Sequence, residues 1–213
     1  MYIAIEGVIG VGKTTLARLL RPMLEAEILL EIFEENPFLS DFYGDRARYA
    51  FQTQIFFLLS RYHQQQRTVP ELLAAGTSLL SDYTFAKDAL FARINLKGDE
   101  LDMYHKVHAA LGEKIPKPDL IVYLRGDTDV LMQRIASRDR SYERNMEREY
   151  IDLLNHAYED FFSAPYEGTP VLPIDTNSLN IVQNPEDLKY IENRIRQELR
   201  LTPFQPSLPL GNA

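Results

Sequence analysis

The segment GVIGVGKT, residues 7–14, has the residue types and spacing that bind phosphate. It fits the pattern G-x-x-x-x-G-K-[ST], and it lies between a short apolar run and a segment with helical spacing. Its glycines let backbone N–H groups converge on phosphate oxygens, and the N-terminus of a helix favours negative charge. Lys13 would reach the β- and γ-phosphates, and the Thr14 hydroxyl would ligate Mg²⁺. The pattern therefore predicts a nucleoside triphosphate site formed by Gly7, Val8, Ile9, Gly10, Val11, Gly12, Lys13, Thr14 and Thr15.

A second segment, RIASRDRSYER at residues 134–144, concentrates four arginines in a chain of formal net charge -8. Such a run is often a solvated helix face. Beside a phosphate site it could instead form a lid, in which Arg134, Arg138 and Arg140 stabilise charge on a transferred phosphoryl group. A phosphate-binding loop alone does not separate a small-molecule kinase from a GTPase-like switch or a motor ATPase. The lid favours the kinase, because phosphoryl transfer needs water to be excluded.

The composition narrows the class of protein. A chain of 213 residues with 45% hydrophobic residues suits one domain with a full core. Its acidic net charge argues against binding to a nucleic-acid backbone. The chain has no cysteine, which excludes disulfides and thiolate metal sites. No stretch has the length of apolar sequence that crosses a membrane, and we expect a cytoplasmic protein with neither membrane nor nucleic-acid partners.

The elements that must position these residues alternate along the chain. Short apolar runs at residues 2–6, 27–33, 77–82, 119–125 and 169–175 predict buried strands. Longer segments with helical spacing lie between them, notably residues 46–66, 100–113 and 148–162, and Pro22 should end or kink the first helix. This alternation predicts an α/β fold with a parallel five-stranded sheet flanked by helices. Residues 1–200 would form the domain, and the proline-rich residues 201–213 a tail that is either disordered or an extended strap.

Six stretches of the chain, in this order, resemble the deoxynucleoside kinase family, and in particular its bacterial deoxyguanosine and deoxyadenosine kinases. They are IEGVIGVGKTT, EIFEENPFLSDFY, FQTQIFFLLSR, SDYTFAKDALFA, PKPDLIVYLRG and RIASRDRSYER, and the resemblance covers about residues 2–175. It implies a P-loop NTPase-type fold with an arginine-rich lid, and phosphorylation of a deoxyribonucleoside 5′-hydroxyl in nucleotide salvage. ATP would be the phosphate donor, Mg²⁺ the metal, and a homodimer the assembly, to which the aromatic run IFFLL could contribute.

The resemblance also assigns the catalytic base. Alignment on the segment ENPF assigns it to Glu31, whose carboxylate would accept the proton of the 5′-hydroxyl. Ile32 replaces the proline that usually follows, so Glu34 remains an alternative. A carboxylate in an apolar strand is costly to bury without a purpose, although an edge-facing carboxylate would also explain it.

Further family positions would bind the nucleoside. Gln54 would hydrogen-bond the base, and Arg61 lies two helical turns later on the same face. Asp88 would pair with Arg61, which disfavours thymidine. Tyr43 and Glu143 would hold the sugar 3′-hydroxyl. The aromatic side chains that would stack on the base, with core packing as the alternative, are Phe33, Phe57 and Phe85.

The chain departs from the family pattern after the third strand. Asp82 is kept and would hold Mg²⁺ directly or through water, but Tyr83 stands where many members have arginine. We expect Lys87 to supply the missing cation, from a helix that begins near Tyr83, with a solvent-exposed lysine as the alternative. Three other functions remain open: a thymidylate-kinase-like nucleotide kinase, a P-loop regulatory protein that binds nucleotide, and a scaffold without turnover.

Overall fold

A five-stranded parallel sheet forms the centre of the protein. The computed structural model describes residues 1–33, 35–144, 146–163, 166 and 168–202. The strand order is β2-β3-β1-β4-β5, and every paired strand is parallel to its neighbour. The strands are β1 (Tyr2–Glu6), β2 (Ala26–Leu29), β3 (Ser78–Ser81), β4 (Leu120–Arg125) and β5 (Val171–Asp175). The prediction of an α/β fold with such a sheet is confirmed.

Helices connect the strands and cover both faces of the sheet. They are α1 (Lys13–Leu20), α2 (Leu39–Gly44), α3 (Arg46–Ala74), α4 (Lys87–Asn95), α5 (Gly98–Gly112), α6 (Thr128–Arg138), α7 (Arg148–Phe162) and α8 (Pro185–Glu198), with a 3₁₀ turn at Ser141–Glu143. The side chains of Ile3, Ile5, Leu80 and Val122 on the central strands are fully buried. Such burial explains why these strands read as continuous apolar runs instead of alternating ones.

Helix α3 carries much of the candidate nucleoside site, and it is longer than its predicted range of residues 46–66. The Asp45 side chain accepts a hydrogen bond from the Arg48 N–H and so caps the helix N-terminus. The helix continues through Pro70 to Ala74. Helix α1, in contrast, ends at Leu20 before Pro22, as predicted.

Strand β2 is shorter than the predicted run of residues 27–33. It ends at Leu29, and the Glu31 N–H donates to the Asp82 side chain instead of to a neighbouring strand. β2 is an edge strand of the sheet, so one side of it has no ladder to prolong it. Glu31 therefore projects from the loop that follows the strand, at the edge where parallel strands end and ligands commonly bind.

No helix within the described ranges is both long enough and apolar enough to cross a membrane.

Candidate active site

The phosphate-binding loop connects β1 to α1 and has the backbone conformation that its glycines allow. Gly7, Gly10 and Gly12 have φ values of 143°, 87° and 105°. A Cβ atom at Gly7 would collide with the Leu124 carbonyl oxygen, so a side chain there is excluded by space as well as by conformation. The glycines that the motif predicts thus allow the loop between β1 and α1 to pass close to the end of β4.

Lys13 lies inside this loop. Its Nζ donates to the Gly7 carbonyl at 2.7 Å and the Val8 carbonyl at 3.1 Å. Burial, followed by the nearby charge of Lys87, lowers the pKa of Lys13 to about 8. A bound phosphate would offset both effects, because it brings negative charge to the buried ammonium group.

Thr14 and Asp82 form the candidate metal site. The Thr14 hydroxyl donates to Asp82 Oδ2, and Asp82 Oδ1 accepts from the Glu31 N–H at 2.8 Å. A hydroxyl and a carboxylate oxygen side by side fit Mg²⁺, which takes oxygen ligands and completes its shell with water and phosphate oxygens. Among the described residues no cluster of three or more His, Asp or Glu side chains could hold a metal ion. Phosphate oxygens and water would therefore have to supply the remaining ligands at this pair.

Glu31 is at the centre of a buried network of charges. Its Oε1 accepts from Arg61 Nε at 2.9 Å and its Oε2 accepts from Lys87 Nζ at 2.6 Å, while Arg61 also pairs with Asp88. Burial by itself raises the pKa of Glu31, but the charges and hydrogen bonds of Arg61 and Lys87 outweigh it and hold the pKa well below its usual range. Glu31 is therefore ionised, as a group that accepts a proton must be. The pairing of Arg61 with Glu31 was not predicted from the sequence.

Lys87 contacts Glu31, but it does so from a helix that begins later than predicted. Helix α4 begins at Lys87 itself, so Tyr83 lies in the preceding loop and shares no helix face with it. The loop turns so that the Lys87 ammonium lies 5.7 Å from the centre of the Tyr83 ring and bonds to Glu31. Only 5% of the Lys87 side chain is exposed, which excludes the alternative of a solvent lysine.

Glu31 lines a cleft together with Lys13 and Thr14, and several predicted nucleoside contacts line it as well. These are Phe33, Tyr43, Gln54, Phe57, Arg61 and Glu143. Gln54 is 3% exposed. Burial raises the pKa of Tyr43 well above its usual value, so the phenol is a neutral hydrogen-bonding group. Tyr142, which the sequence reasoning missed, stacks on Tyr43 with ring centres 6.3 Å apart.

Two arginines of the predicted lid face this cleft. Arg138 bonds Glu143 at 2.6 Å, and Arg140 lies 3.7 Å from the same carboxylate. The Arg140 guanidinium also covers the Phe33 ring, at 4.2 Å from its centre. Glu143, one of the predicted sugar contacts, thus also binds the arginines of the lid.

Arg134 does not face the cleft, contrary to the prediction for the lid. Its guanidinium donates to the Thr176 carbonyl at 2.7 Å, to the Thr176 hydroxyl at 3.0 Å and to the Val11 carbonyl at 3.4 Å. These bonds brace the phosphate-binding loop against the segment after β5. Carbonyl oxygens of two loops occupy its donors, so the structure does not support a direct role in stabilising the transferred group.

Phe85 is also displaced from its predicted position. Its ring stacks on His108 of α5, with ring centres 4.6 Å apart, and it lines a different cavity. The loop before α4 directs Phe85 toward α5, so the side chain belongs to packing between helices. Glu34, the alternative base, lies outside the described residues.

Glu6 is a further polar residue that the sequence reasoning did not select. It is fully buried, and its carboxylate accepts from the Thr84 N–H at 2.5 Å, the Thr84 hydroxyl at 2.8 Å and the Tyr158 hydroxyl at 3.3 Å. A charged residue at the end of an otherwise apolar strand, directly before the phosphate-binding loop, was the signal that could have identified it. Glu6 connects that loop to the segment that carries Lys87.

Comparisons with known proteins agree with this arrangement. A family profile described as deoxynucleoside kinase matches residues 3–200. The chain belongs to the deoxynucleoside kinase family. Its relatives include a Bacillus subtilis deoxyguanosine kinase, 35% identical over 199 residues that make up 92% of this chain and 96% of the relative. A Bacillus subtilis deoxyadenosine/deoxycytidine kinase is 30% identical over 201 residues, 91% of this chain and 90% of the relative.

Solved structures give the same result. A deoxyadenosine kinase from M. mycoides with the products dCMP and dCDP superposes with a TM-score of 0.80 at 27% identity, covering 93% of this chain and 100% of that structure. The same protein with bound dATP gives a TM-score of 0.80 and covers 92% of this chain and 99% of that structure. The predicted nucleoside kinase activity is thereby confirmed, and the thymidylate-kinase-like alternative is not favoured.

Proposed function

We propose that this kinase transfers the γ-phosphate of ATP to the 5′-hydroxyl of a purine deoxyribonucleoside, with deoxyguanosine and deoxyadenosine preferred. The observation that carries the proposal is the position of the Glu31 carboxylate. It lines one cavity together with Lys13 of the phosphate-binding loop and with Gln54 and Arg61 of α3. A base at that position can reach a hydroxyl that faces the γ-phosphate.

In the proposed reaction Glu31 accepts the proton of the 5′-hydroxyl while the oxygen attacks the γ-phosphorus. The bond between that phosphorus and the β,γ-bridging oxygen breaks, and ADP leaves. Lys13, Arg138 and Arg140 stabilise the negative charge on the transferred group. Mg²⁺, held at Thr14 and Asp82, would neutralise charge on the phosphates.

The pair of Arg61 and Asp88 argues against thymidine, and the preference for a purine rests on the resemblance of the Asp82–Tyr83 pair to bacterial deoxyguanosine kinases. Arg61 supplies donors and the Asp88 carboxylate supplies acceptors. Gln54, on the same helix as Arg61, adds an amide group that both donates and accepts. Together these groups match a base with an exocyclic amino group, which thymine lacks. Relatives named as deoxyguanosine and deoxyadenosine kinases support this assignment. Tyr43 and Glu143 would hold the sugar 3′-hydroxyl.

We further propose that the enzyme is a cytoplasmic homodimer that serves nucleotide salvage. Support for the dimer comes from the family resemblance and from large apolar side chains that helices of the described chain leave exposed. These include Leu59 on α3, Met103 on α5 and Leu153 on α7. Sedimentation of the purified protein at several concentrations tests the dimer.

The test of function is release of ADP from ATP and Mg²⁺ with deoxyguanosine, deoxyadenosine, deoxycytidine, thymidine or thymidine monophosphate, against a control without acceptor. We expect strong stimulation by the purine nucleosides and weak stimulation by thymidine. The variant Glu31→Gln keeps the shape of the base but cannot accept the proton, so its kcat should fall by a factor of about 100 or more. Turnover with thymidine monophosphate alone would contradict the proposal.

A further inference from the structure

The peptide group between Leu30 and Glu31 is held at both of its polar atoms by side chains. Its carbonyl oxygen accepts from Gln64 Nε2 at 2.8 Å, and its N–H donates to Asp82 Oδ1 at 2.8 Å. Strand β2 has already ended at Leu29, so hydrogen bonds of the sheet do not fix this peptide. Its orientation, and with it the direction of the Glu31 side chain, depends on these two contacts.

Gln64 is oriented in turn by Tyr83. The Tyr83 hydroxyl donates to Gln64 Oε1 at 2.5 Å, and the Tyr83 ring is fully buried. A carbonyl oxygen can only accept, so the amide nitrogen of Gln64 must face Leu30 and its oxygen must face the phenol. The backbone of Tyr83 is also held, because its carbonyl accepts from the Ser81 hydroxyl at 2.7 Å.

We propose that Gln64 and Tyr83 are positioning residues for Glu31, and we call them the Gln64–Tyr83 clamp. The clamp rests on the proposed role of Glu31 as the base. It fixes the backbone from which Glu31 projects, while Arg61 and Lys87 fix the carboxylate itself. In this chain Tyr83, which follows Asp82, therefore acts through the backbone of Glu31 and not by charge.

The clamp predicts a loss of turnover without a loss of binding. A displacement of the base by about 1 Å can lower a rate about 100-fold, so we expect Gln64→Leu to reduce kcat by about 10-fold to 100-fold. Neither residue of the clamp lines the cavities that contain residues of the phosphate-binding loop, and the KM for ATP should stay within about three-fold. Tyr83→Phe keeps the buried ring and removes only the donor to Gln64, so its effect should have the same direction.

Two readouts separate the clamp from a general structural effect. The first is the pH dependence of kcat/KM: a Glu31 that moves away from Arg61 and Lys87 has a higher pKa, and the acid limb of Gln64→Leu should shift to higher pH. The second is the double variant Gln64→Leu/Tyr83→Phe, whose kcat should be no lower than that of Gln64→Leu alone because both changes break the same chain of contacts.

The matched control is Gln66→Leu, the same substitution at an exposed position of α3, which should leave kcat unchanged. Wild type and Glu31→Gln are measured alongside. If nucleosides do not stimulate the wild type, or if Glu31→Gln keeps its turnover, the proposed function fails. If the wild type and Glu31→Gln behave as proposed while Gln64→Leu and Tyr83→Phe match the control in kcat and in the acid limb of kcat/KM, the clamp alone is refuted. Losses of kcat that multiply in the double variant also refute the clamp. Should Gln64→Leu not fold, Tyr83→Phe decides by the same two criteria of kcat and acid limb.

Discussion

Replacement of Lys87 by methionine tests the ion pair between Lys87 and Glu31. The Lys87 ammonium is 2.6 Å from the Glu31 carboxylate, and the two side chains are only 5% and 16% exposed. At an effective dielectric constant of about 20, opposite charges some 4 Å apart attract by about 4 kcal/mol, before the cost of removing both groups from water is counted. Methionine keeps the length of the side chain and removes its charge.

Loss of this cation should act on chemistry more than on binding. Removal of one preorganised donor from a reaction centre typically lowers kcat about 100-fold to 1,000-fold, and we expect a loss in that range for Lys87→Met. Arg61 and Lys87 together hold the pKa of Glu31 below its usual range, so the acid limb of kcat/KM should move to higher pH when Lys87 is lost. The KM for the nucleoside should change by less than about three-fold.

Steady-state kinetics over a range of pH, with ADP release as the signal, measures both effects. Lys106→Met, at an exposed position of α5, is the control for loss of a positive charge. An unchanged kcat, or a rise in KM alone with the acid limb in place, would refute the reasoning that Lys87 serves the reaction centre.

Three further results are expected. Arg138→Met should lower kcat about 100-fold, because Arg138 faces the cleft. Arg134→Met should raise the KM for ATP and leave kcat within about three-fold, because Arg134 braces the phosphate-binding loop. Steady-state kinetics with varied ATP separates the two effects. Phe33→Ala should raise the KM for deoxyguanosine, and Phe85→Ala should not, because Phe85 lines another cavity. The pKa of Glu31 is lower in the folded chain than its usual 4.5, so its contribution to the free energy of unfolding is complete well above that pH and decreases as pH falls. Urea titrations at several pH values measure this free energy. Its decrease toward low pH should be smaller for Glu31→Gln than for the wild type.

The sheet and the phosphate-binding loop could be predicted because their signals are local. Apolar runs identify buried strands, and the loop motif fixes its own backbone through Gly7 and Lys13. The end of β2 could not be predicted, because residues 30–33 are largely apolar and the bond that draws the Glu31 N–H away comes from Asp82, far along the chain. Sequence spacing gives no such contact.

Side-chain directions were the other source of error. Arg134 and Arg138 lie one turn apart on α6, yet carbonyl groups of two loops bind the first and the Glu143 carboxylate binds the second. Phe85 is only two residues before Lys87, but the loop directs these side chains toward different cavities. Both outcomes depend on which partners the tertiary fold brings near, and residue type alone does not contain that information.

The shared guanidinium of Arg61 has a consequence for how this kinase selects its substrate. Arg61 bonds both Asp88, its proposed partner in recognition of the base, and Glu31, the proposed proton acceptor. A nucleoside whose base draws Arg61 out of place also removes a partner from Glu31, and its 5′-hydroxyl then meets a misaligned carboxylate. An incorrect nucleoside would then bind, but it would usually dissociate before it is phosphorylated. Discrimination in this enzyme would then be visible in kcat more than in affinity.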